Sequence, residues 1–145
     1  MADVKRKGRV EWEGGLAAGN GSLSLKSSDA LRDSPVTWAS RVERPDGRTS
    51  PEELVAAAHA ACYAMALSLT LSEKGNEPDK LAVDATCTFD DEQVKVTTVD
   101  LEIEGTVTGL DAEEFREVAE EAEQICPVSN ALRGNVEIRL NTRLS

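Results

Sequence analysis

Residues 49–71 read TSPEELVAAAHAACYAMALSLTL, and this stretch decides the fold. The opening Ser50-Pro51-Glu52-Glu53 has the pattern of a capping box with proline at the first helical position. The apolar pattern then continues until Gly75, a residue that commonly follows the end of a helix. The sequence therefore predicts one helix over residues 51–74, roughly 36 Å long at 1.5 Å per residue.

The predicted helix is apolar over most of its surface. One stripe at helical spacing contains Leu54, Ala58, Cys62, Met65 and Leu69. Further apolar residues beside this stripe make it wider than that of a typical surface helix. We therefore expect a central helix, buried on most sides by a sheet or by another subunit. Its many alanines would let a neighbouring helix approach closely.

Alternating apolar residues predict strands on both sides of this helix. The segments GRVEWEG, GSLSLKS and VTWASRVE precede it, and the third places Arg41 on its polar face. Two strands follow over residues 81–89 and 99–107, and then a second helix begins at Asp111. That helix is expected to turn Ile125 inward. A short helix after Cys126 and a final strand complete the chain.

The 145 residues have the length of one domain. We expect N-terminal strands in 1–49, the central helix in 51–74, strands and the second helix in 80–126, and a short helix and strand in 127–145. This order favours an α+β fold with antiparallel sheets.

Composition restricts the class of partner. The net charge is −11 and only 3% of residues are aromatic, so nucleic acid and anionic lipid are disfavoured. No apolar run reaches the roughly 18 residues of a membrane span. The polar N-terminal stretch and the odd number of cysteines favour a reducing cytoplasm. One histidine and three scattered cysteines do not have the spacing of a metal site.

The cysteines are the candidate reactive groups. Cys62 lies on the apolar stripe, where an inert core thiol is the simpler interpretation. Cys126 precedes Pro127 at a predicted N-cap, where the positive end of the helix favours a thiolate. Local electrostatics alone therefore name Cys126 as the more reactive sulfur. Cys87 falls on the inward face of a predicted strand and is interpreted as core filling.

Other polar residues admit two interpretations. His59 precedes Cys62 by three residues, and a Cys-His pair would indicate a hydrolase or transferase. A histidine packed within the helix is the favoured alternative. Arg44 and Arg48 flank the turn signal Pro45-Asp46-Gly47 and are expected to be solvated.

The same segments resemble a known family. The helix stretch 49–71, the motif CPVSNALRGNVEI and the opening GRVEWEGG resemble the OsmC/Ohr family of osmotically inducible and organic hydroperoxide resistance proteins. The resemblance covers nearly the whole chain. It implies an intertwined α+β homodimer, with antiparallel sheets wrapped around two long central helices and active sites at the subunit interface.

The resemblance also implies an activity, a thiol peroxidase that prefers organic hydroperoxides. Cys62 matches the peroxidatic cysteine, Cys126 the resolving one, and Arg41 and Glu52 the catalytic arginine and its glutamate. The segment Gly14-Gly15-Leu16 lacks the arginine of the Ohr branch, which indicates the OsmC branch. Arg44 stays open as an alternative to Arg41, because the loop before the helix is one residue longer than the family pattern.

No bound cofactor is implied by the resemblance. The Cys62–Cys126 disulfide would be recycled by a dithiol co-substrate, of lipoyl type in this family, supplied free or on a carrier protein.

Helix geometry adds a hypothesis about the subunits. Ten helical residues separate Glu52 from Cys62, which is roughly 15 Å along the axis. One arginine could hardly pair with Glu52 and reach Cys62 of the same helix, so Arg41 and Glu52 are expected to serve Cys62 of the partner subunit. The alternative functions are a redox sensor or ligand-binding protein without turnover, and a Cys-His hydrolase built on His59.

Overall fold

The computed structural model describes residues 3–145. It divides into two compact units, Met1–Pro51 and Glu52–Ser145. Helices and strands are mixed in the order expected of an α+β protein. The first unit contains β1 (Gly8–Glu13), β2 (Asn20–Leu25), β3 (Ser34–Val36) and α1 (Trp38–Val42). The second contains α2 (Pro51–Glu73, which starts at the boundary residue), β4 (Lys80–Asp90), β5 (Lys95–Thr106), α3 (Ala112–Ile125), α4 (Pro127–Leu132) and β6 (Glu137–Leu144).

The first unit is built on a three-stranded antiparallel sheet in the order β1-β2-β3. A glycine-rich turn joins β1 to β2. Gly14 has a φ of +90°, and a Cβ on Gly19 would lie 2.2 Å from the carbonyl oxygen of Gly15. Only glycine fits at these two positions, and the turn lets β1 and β2 pair as a hairpin.

The predicted strand VTWASRVE is wrong beyond Val36. Thr37 caps α1, because the Ser40 N–H donates to Oγ1 of Thr37 at 3.0 Å and the Thr37 N–H donates to Oγ of Ser40 at 3.1 Å. These local bonds satisfy backbone donors of a helical turn and compete with strand pairing. Arg41 therefore lies in a short helix, with its guanidinium carbon 5.8 Å from the centroid of the Trp38 ring.

The central helix is confirmed, since α2 covers Pro51–Glu73. The sheet of the second unit has the order β4-β5-β6, and β4 pairs antiparallel with β5. The expectation of an all-antiparallel sheet is wrong for β6, which pairs parallel with β5. The physical reason is the crossover of α3 and α4, which returns the chain to the same end of the sheet at which β5 begins.

The core of the second unit lies among α2, β5 and α3. Its completely or almost completely buried side chains include Tyr63, Leu67, Leu71, Val99, Leu101, Phe115, Ala119 and Cys126. The inward-facing residues of β4 and β6 alternate with exposed ones, as the sequence predicts.

The buried face of α2 differs from the predicted stripe. Met65 is 73% exposed and Leu69 52% exposed in the protomer, whereas His59, Tyr63 and Leu67 are completely buried. Because α2 is apolar on nearly every side, periodicity does not select the face that meets the sheet. A similar correction applies to Ile125 of α3, which was expected to point inward and is 46% exposed.

By length and composition alone, α2 could cross a membrane, contrary to the expectation that no segment reaches that length. One such helix is weak evidence, because the core helix of a soluble protein passes the same test. Tyr63, Leu67 and Leu71 of α2 belong to the buried cluster that includes Val99 and Phe115. This packing is that of a core helix.

Candidate active site

The two predicted redox cysteines meet in the second unit. Cys62 lies in the middle of α2 and is half-buried, and Cys126 is completely buried at the junction of α3 and α4. Cys62 packs against the buried cluster that contains Cys126, the Cys126 side chain raises the pKa of the Cys62 thiol, and both thiols are free. Two sulfurs that are far apart in the sequence thus share one site.

The surroundings of Cys62 disfavour its thiolate. Burial is the largest cause that raises the pKa of the Cys62 thiol, and the side chain of Cys126 raises it further. The backbone N–H of Val128 acts in the opposite direction through a hydrogen bond. Because the net pKa is raised, Cys62 needs an additional positive charge to be a nucleophile at neutral pH.

Cys126 occupies the predicted position but in a different environment. Cys126 is the C-cap of α3 and the N-cap of α4. Pro127 is the first residue of α4, as the sequence predicts. The Cys126 side chain makes no capping hydrogen bond, and it is completely buried. Cys62 is the residue of the pair that keeps partial exposure. Which of the two thiols is the more reactive stays a prediction.

A buried hydrogen bond lies beside the cysteine pair. Nε2 of His59 lies 2.7 Å from Oγ of Ser129, and both residues are completely buried. Burial lowers the pKa of His59, with an opposing contribution from the charge of Glu123. This confirms the interpretation of His59 as a packed histidine. The partner, Ser129, was missed by the sequence analysis, although it follows Cys126 by the same three residues by which His59 precedes Cys62.

The end of α4 is tied to α3 by an ion pair. Nη1 of Arg133 donates to both carboxylate oxygens of Glu123 at 2.7 and 2.8 Å, and Nη2 donates to the Glu123 carbonyl at 3.0 Å. The Glu123 side chain is buried, so this pairing compensates a charge that would be costly alone. A second buried bond, from the Tyr63 hydroxyl to the Ala119 carbonyl at 2.7 Å, joins α2 to α3.

Cys87 and Glu52 both belong to the second unit. Cys87 pairs with Val99 across β4 and β5 and packs against the core, as expected of core filling. Burial raises the pKa of the Cys87 thiol, and the charge of Glu52 raises it further. Glu52 is itself buried in the first turn of α2.

The candidate arginines belong to the first unit. Arg41 is half-buried in α1, whereas Arg44 and Arg48 are exposed, as expected for the flanks of a turn. Nη1 of Arg48 lies 3.9 Å from a carboxylate oxygen of Asp46. Arg41 is thus the least solvated of the three, although it does not lie on the predicted strand.

Within residues 3–145, no group of three or more histidine, cysteine, aspartate or glutamate side chains is placed to hold a metal ion.

The chain is similar to known proteins over most of its length. The family model described as OsmC-like protein matches residues 44–141. Peroxiredoxin OsmC of Escherichia coli K12 is 37% identical over 137 residues, which cover 93% of this chain and 94% of that protein. Organic hydroperoxide resistance protein OhrB of Bacillus subtilis is 28% identical over 88% of this chain and 93% of that protein.

A solved structure has the same fold. The organic hydroperoxide resistance protein of Elizabethkingia anophelis aligns with a TM-score of 0.73 and 25% identity, and the alignment covers 100% of both chains. The resemblance inferred from the motifs is therefore confirmed at the level of sequence family and fold.

Proposed function

The chain belongs to the OsmC-like protein family, and from this premise we propose that it is a thiol peroxidase that reduces organic hydroperoxides to alcohols. Relatives named peroxiredoxin and organic hydroperoxide resistance protein support a peroxidase-type oxidoreductase. The observation that carries the proposal is the contact between Cys62, which is partly exposed, and Cys126, which is completely buried. An accessible thiol attacks, and a protected thiol beside it resolves.

The first step is attack by the Cys62 thiolate on one oxygen of the peroxide. The O–O bond breaks, the alkoxide takes a proton and leaves as the alcohol, and Cys62 becomes a sulfenic acid. Apolar side chains around Cys62 favour a substrate with an apolar substituent over hydrogen peroxide. The same apolar surroundings raise the pKa of Cys62, so the step requires a cation that stabilises the thiolate.

The second step is condensation with Cys126. The Cys126 sulfur attacks the sulfenic sulfur, the S–O bond breaks, and the oxygen leaves as water. A Cys62–Cys126 disulfide results. A disulfide requires β-carbons about 3.8 Å apart. Because the two cysteines already lie side by side in the reduced protein, we expect the disulfide to form with little backbone movement.

A dithiol completes the cycle. One of its thiolates attacks the Cys62–Cys126 disulfide, which releases one cysteine and forms a mixed disulfide with the other. The second thiolate of the dithiol then attacks its own sulfur in the mixed disulfide and releases the remaining cysteine. Both cysteines take up protons and return to the thiol form, and the dithiol becomes a cyclic disulfide. A lipoyl-type dithiol, free or on a carrier protein, is the proposed reductant. No bound cofactor takes part in this cycle. The proposed location is the cytoplasm, where dithiols are kept reduced.

Arg41 is proposed as the missing cation, oriented by Glu52 through a paired guanidinium–carboxylate contact. The proposed assembly is a homodimer in which Arg41 and Glu52 of one protomer serve Cys62 of the partner subunit. The exposed apolar residues Met65 and Leu69 on α2 support an assembly that covers this face of the helix.

Turnover distinguishes an enzyme from a sensor. With excess dihydrolipoamide and tert-butyl hydroperoxide, the protein should consume many equivalents of peroxide, and Cys62→Ser should consume none. Cys87→Ser is the matched control and should keep the activity. A protein that consumes one equivalent and stops would be a redox sensor, and this result would overturn the proposal.

A further inference from the structure

His59 and Ser129 form a bond between the two elements that carry the redox cysteines. His59 is on α2, Ser129 is on α4, and Nε2 and Oγ are 2.7 Å apart. Both side chains are completely buried, so water does not compete for this bond. The bond is therefore a fixed point between two helices that otherwise belong to distant parts of the sequence.

Each residue of this bond lies three positions from one of the two cysteines. His59 precedes Cys62 by three residues on α2, and residues three apart lie on the same side of a helix. Ser129 follows Cys126 by three residues, one turn into α4. The bond thus lies about one helical turn from the sulfur contact on both elements.

Other contacts make α4 sensitive to this bond. The helix has only six residues, and the Glu123–Arg133 pair holds its C-terminal end against α3. The His59–Ser129 bond fixes its middle against α2. Next to Ser129 on the Cys126 side, the backbone N–H of Val128 acts on the Cys62 thiol and lowers its pKa. A change at Ser129 would therefore move the segment that carries both Val128 and Cys126.

We propose that His59 and Ser129 are positioning residues, whose bond holds the Cys126 thiol against Cys62 so that the sulfenic acid condenses before it is oxidised again. The inference rests on the proposed function, since it concerns the fate of the Cys62 sulfenic acid. The competing step is attack of this sulfenic acid on a second hydroperoxide, which yields a sulfinic acid and a second alcohol. Neither His59 nor Ser129 has to touch the peroxide.

The test measures which product Cys62 forms. Wild-type protein and variants are treated with several concentrations of tert-butyl hydroperoxide without reductant, and mass spectrometry gives the ratio of sulfinic acid to disulfide at Cys62. Ser129→Ala should raise this ratio about tenfold, because small displacements of reacting groups have large effects on rate. His59→Gln should keep the wild-type ratio, because the glutamine amide nitrogen can occupy the place of Nε2 and bond Ser129.

Tyr63→Phe is the matched control. It removes another buried bond of α2, to the Ala119 carbonyl on α3, without touching α4. A ratio in Ser129→Ala equal to that in Tyr63→Phe would overturn the proposal, because general loosening of α2 would then explain both. If Ser129→Ala does not fold, His59→Leu breaks the same bond and carries the same expectation. Wild-type protein that forms no Cys62–Cys126 disulfide would instead refute the proposed function, and the positioning role with it.

Discussion

Cys62 and Cys126 lie beside each other where α2 packs against the α3–α4 turn, and the Cys126 side chain raises the pKa of the Cys62 thiol. The pair is asymmetric, because Cys62 keeps partial exposure whereas Cys126 has none. In the proposed cycle, this asymmetry corresponds to attack by Cys62 and resolution by Cys126.

Cys126→Ser separates attack from resolution. We expect this variant to react with one equivalent of hydroperoxide at nearly the wild-type rate and then to lose turnover with dihydrolipoamide. Its Cys62 should accumulate as sulfenic and sulfinic acid, because the resolving sulfur is missing. Trapping with dimedone followed by mass spectrometry measures this accumulation. Loss of the first reaction itself would contradict the assigned roles.

Arg41→Met tests the source of the positive charge. The pKa of Cys62 is raised by burial, so without a cation the thiolate is scarce at pH 7 and its fraction increases with pH up to the thiol pKa. Activity should fall about 100-fold at pH 7, a loss typical of removing one charge-stabilising group. It should recover as the pH rises. The measurement is kcat/KM from about pH 6 to about pH 9, which covers the range in which cysteine thiols titrate.

The control for this variant is Arg44→Met, which removes an exposed arginine of the same loop region. It should keep both the activity and the pH profile of the wild type. Loss of activity in Arg44→Met together with full activity in Arg41→Met would exchange the roles of the two arginines.

Mixing inactive subunits tests whether the site is shared. Arg41→Met supplies an intact Cys62, and Cys62→Ser supplies an intact Arg41. If Arg41 acts on the partner subunit, each mixed dimer contains one complete site, and refolding equal amounts together should restore about one quarter of wild-type activity. Wild-type protein carried through the same refolding gives the reference value. If the mixed dimers stay inactive, Arg41 and Cys62 work within one protomer.

Glu52→Gln should change the reactivity of Cys87. The charge of Glu52 contributes to the raised pKa of the Cys87 thiol, so its removal should lower that pKa and increase the thiolate fraction at a given pH. Alkylation of Cys87 by iodoacetamide at pH 8, followed by mass spectrometry, should therefore be faster in this variant. Burial, the larger cause, remains. Glu53→Gln changes an exposed neighbour by the same charge and should leave the rate unchanged. An unchanged rate in Glu52→Gln would contradict the influence of the Glu52 charge on Cys87.

Several elements could be predicted from the sequence because their signals are local. Pro51 and Gly75 mark the ends of α2, and the actual helix differs from the prediction by one residue at its C-terminus. The capping box of Asp111 with Glu114 begins α3, and Pro127 after Cys126 begins α4. Caps of this kind depend on neighbouring residues only, so they can be read without knowledge of the tertiary structure.

Other features depend on packing. VTWASRVE alternates like a strand, but the reciprocal bonds of Thr37 and Ser40 make a helical turn that carries Arg41. The buried face of α2 follows His59 and Tyr63, whose polar atoms find partners in Ser129 and Ala119. A helix that is apolar on all sides carries no signal for this choice. The parallel pairing of β6 likewise depends on the route of α3 and α4.

The Cys62–Cys126 disulfide is the central claim, and peptide mass spectrometry tests it most directly. The wild-type protein is treated with one equivalent of tert-butyl hydroperoxide, alkylated, digested and analysed without reduction. The account predicts a disulfide between the peptides of Cys62 and Cys126, with Cys87 alkylated. Two results would contradict it: a disulfide that contains Cys87, or oxidation of Cys62 while Cys126 stays a free thiol and is alkylated.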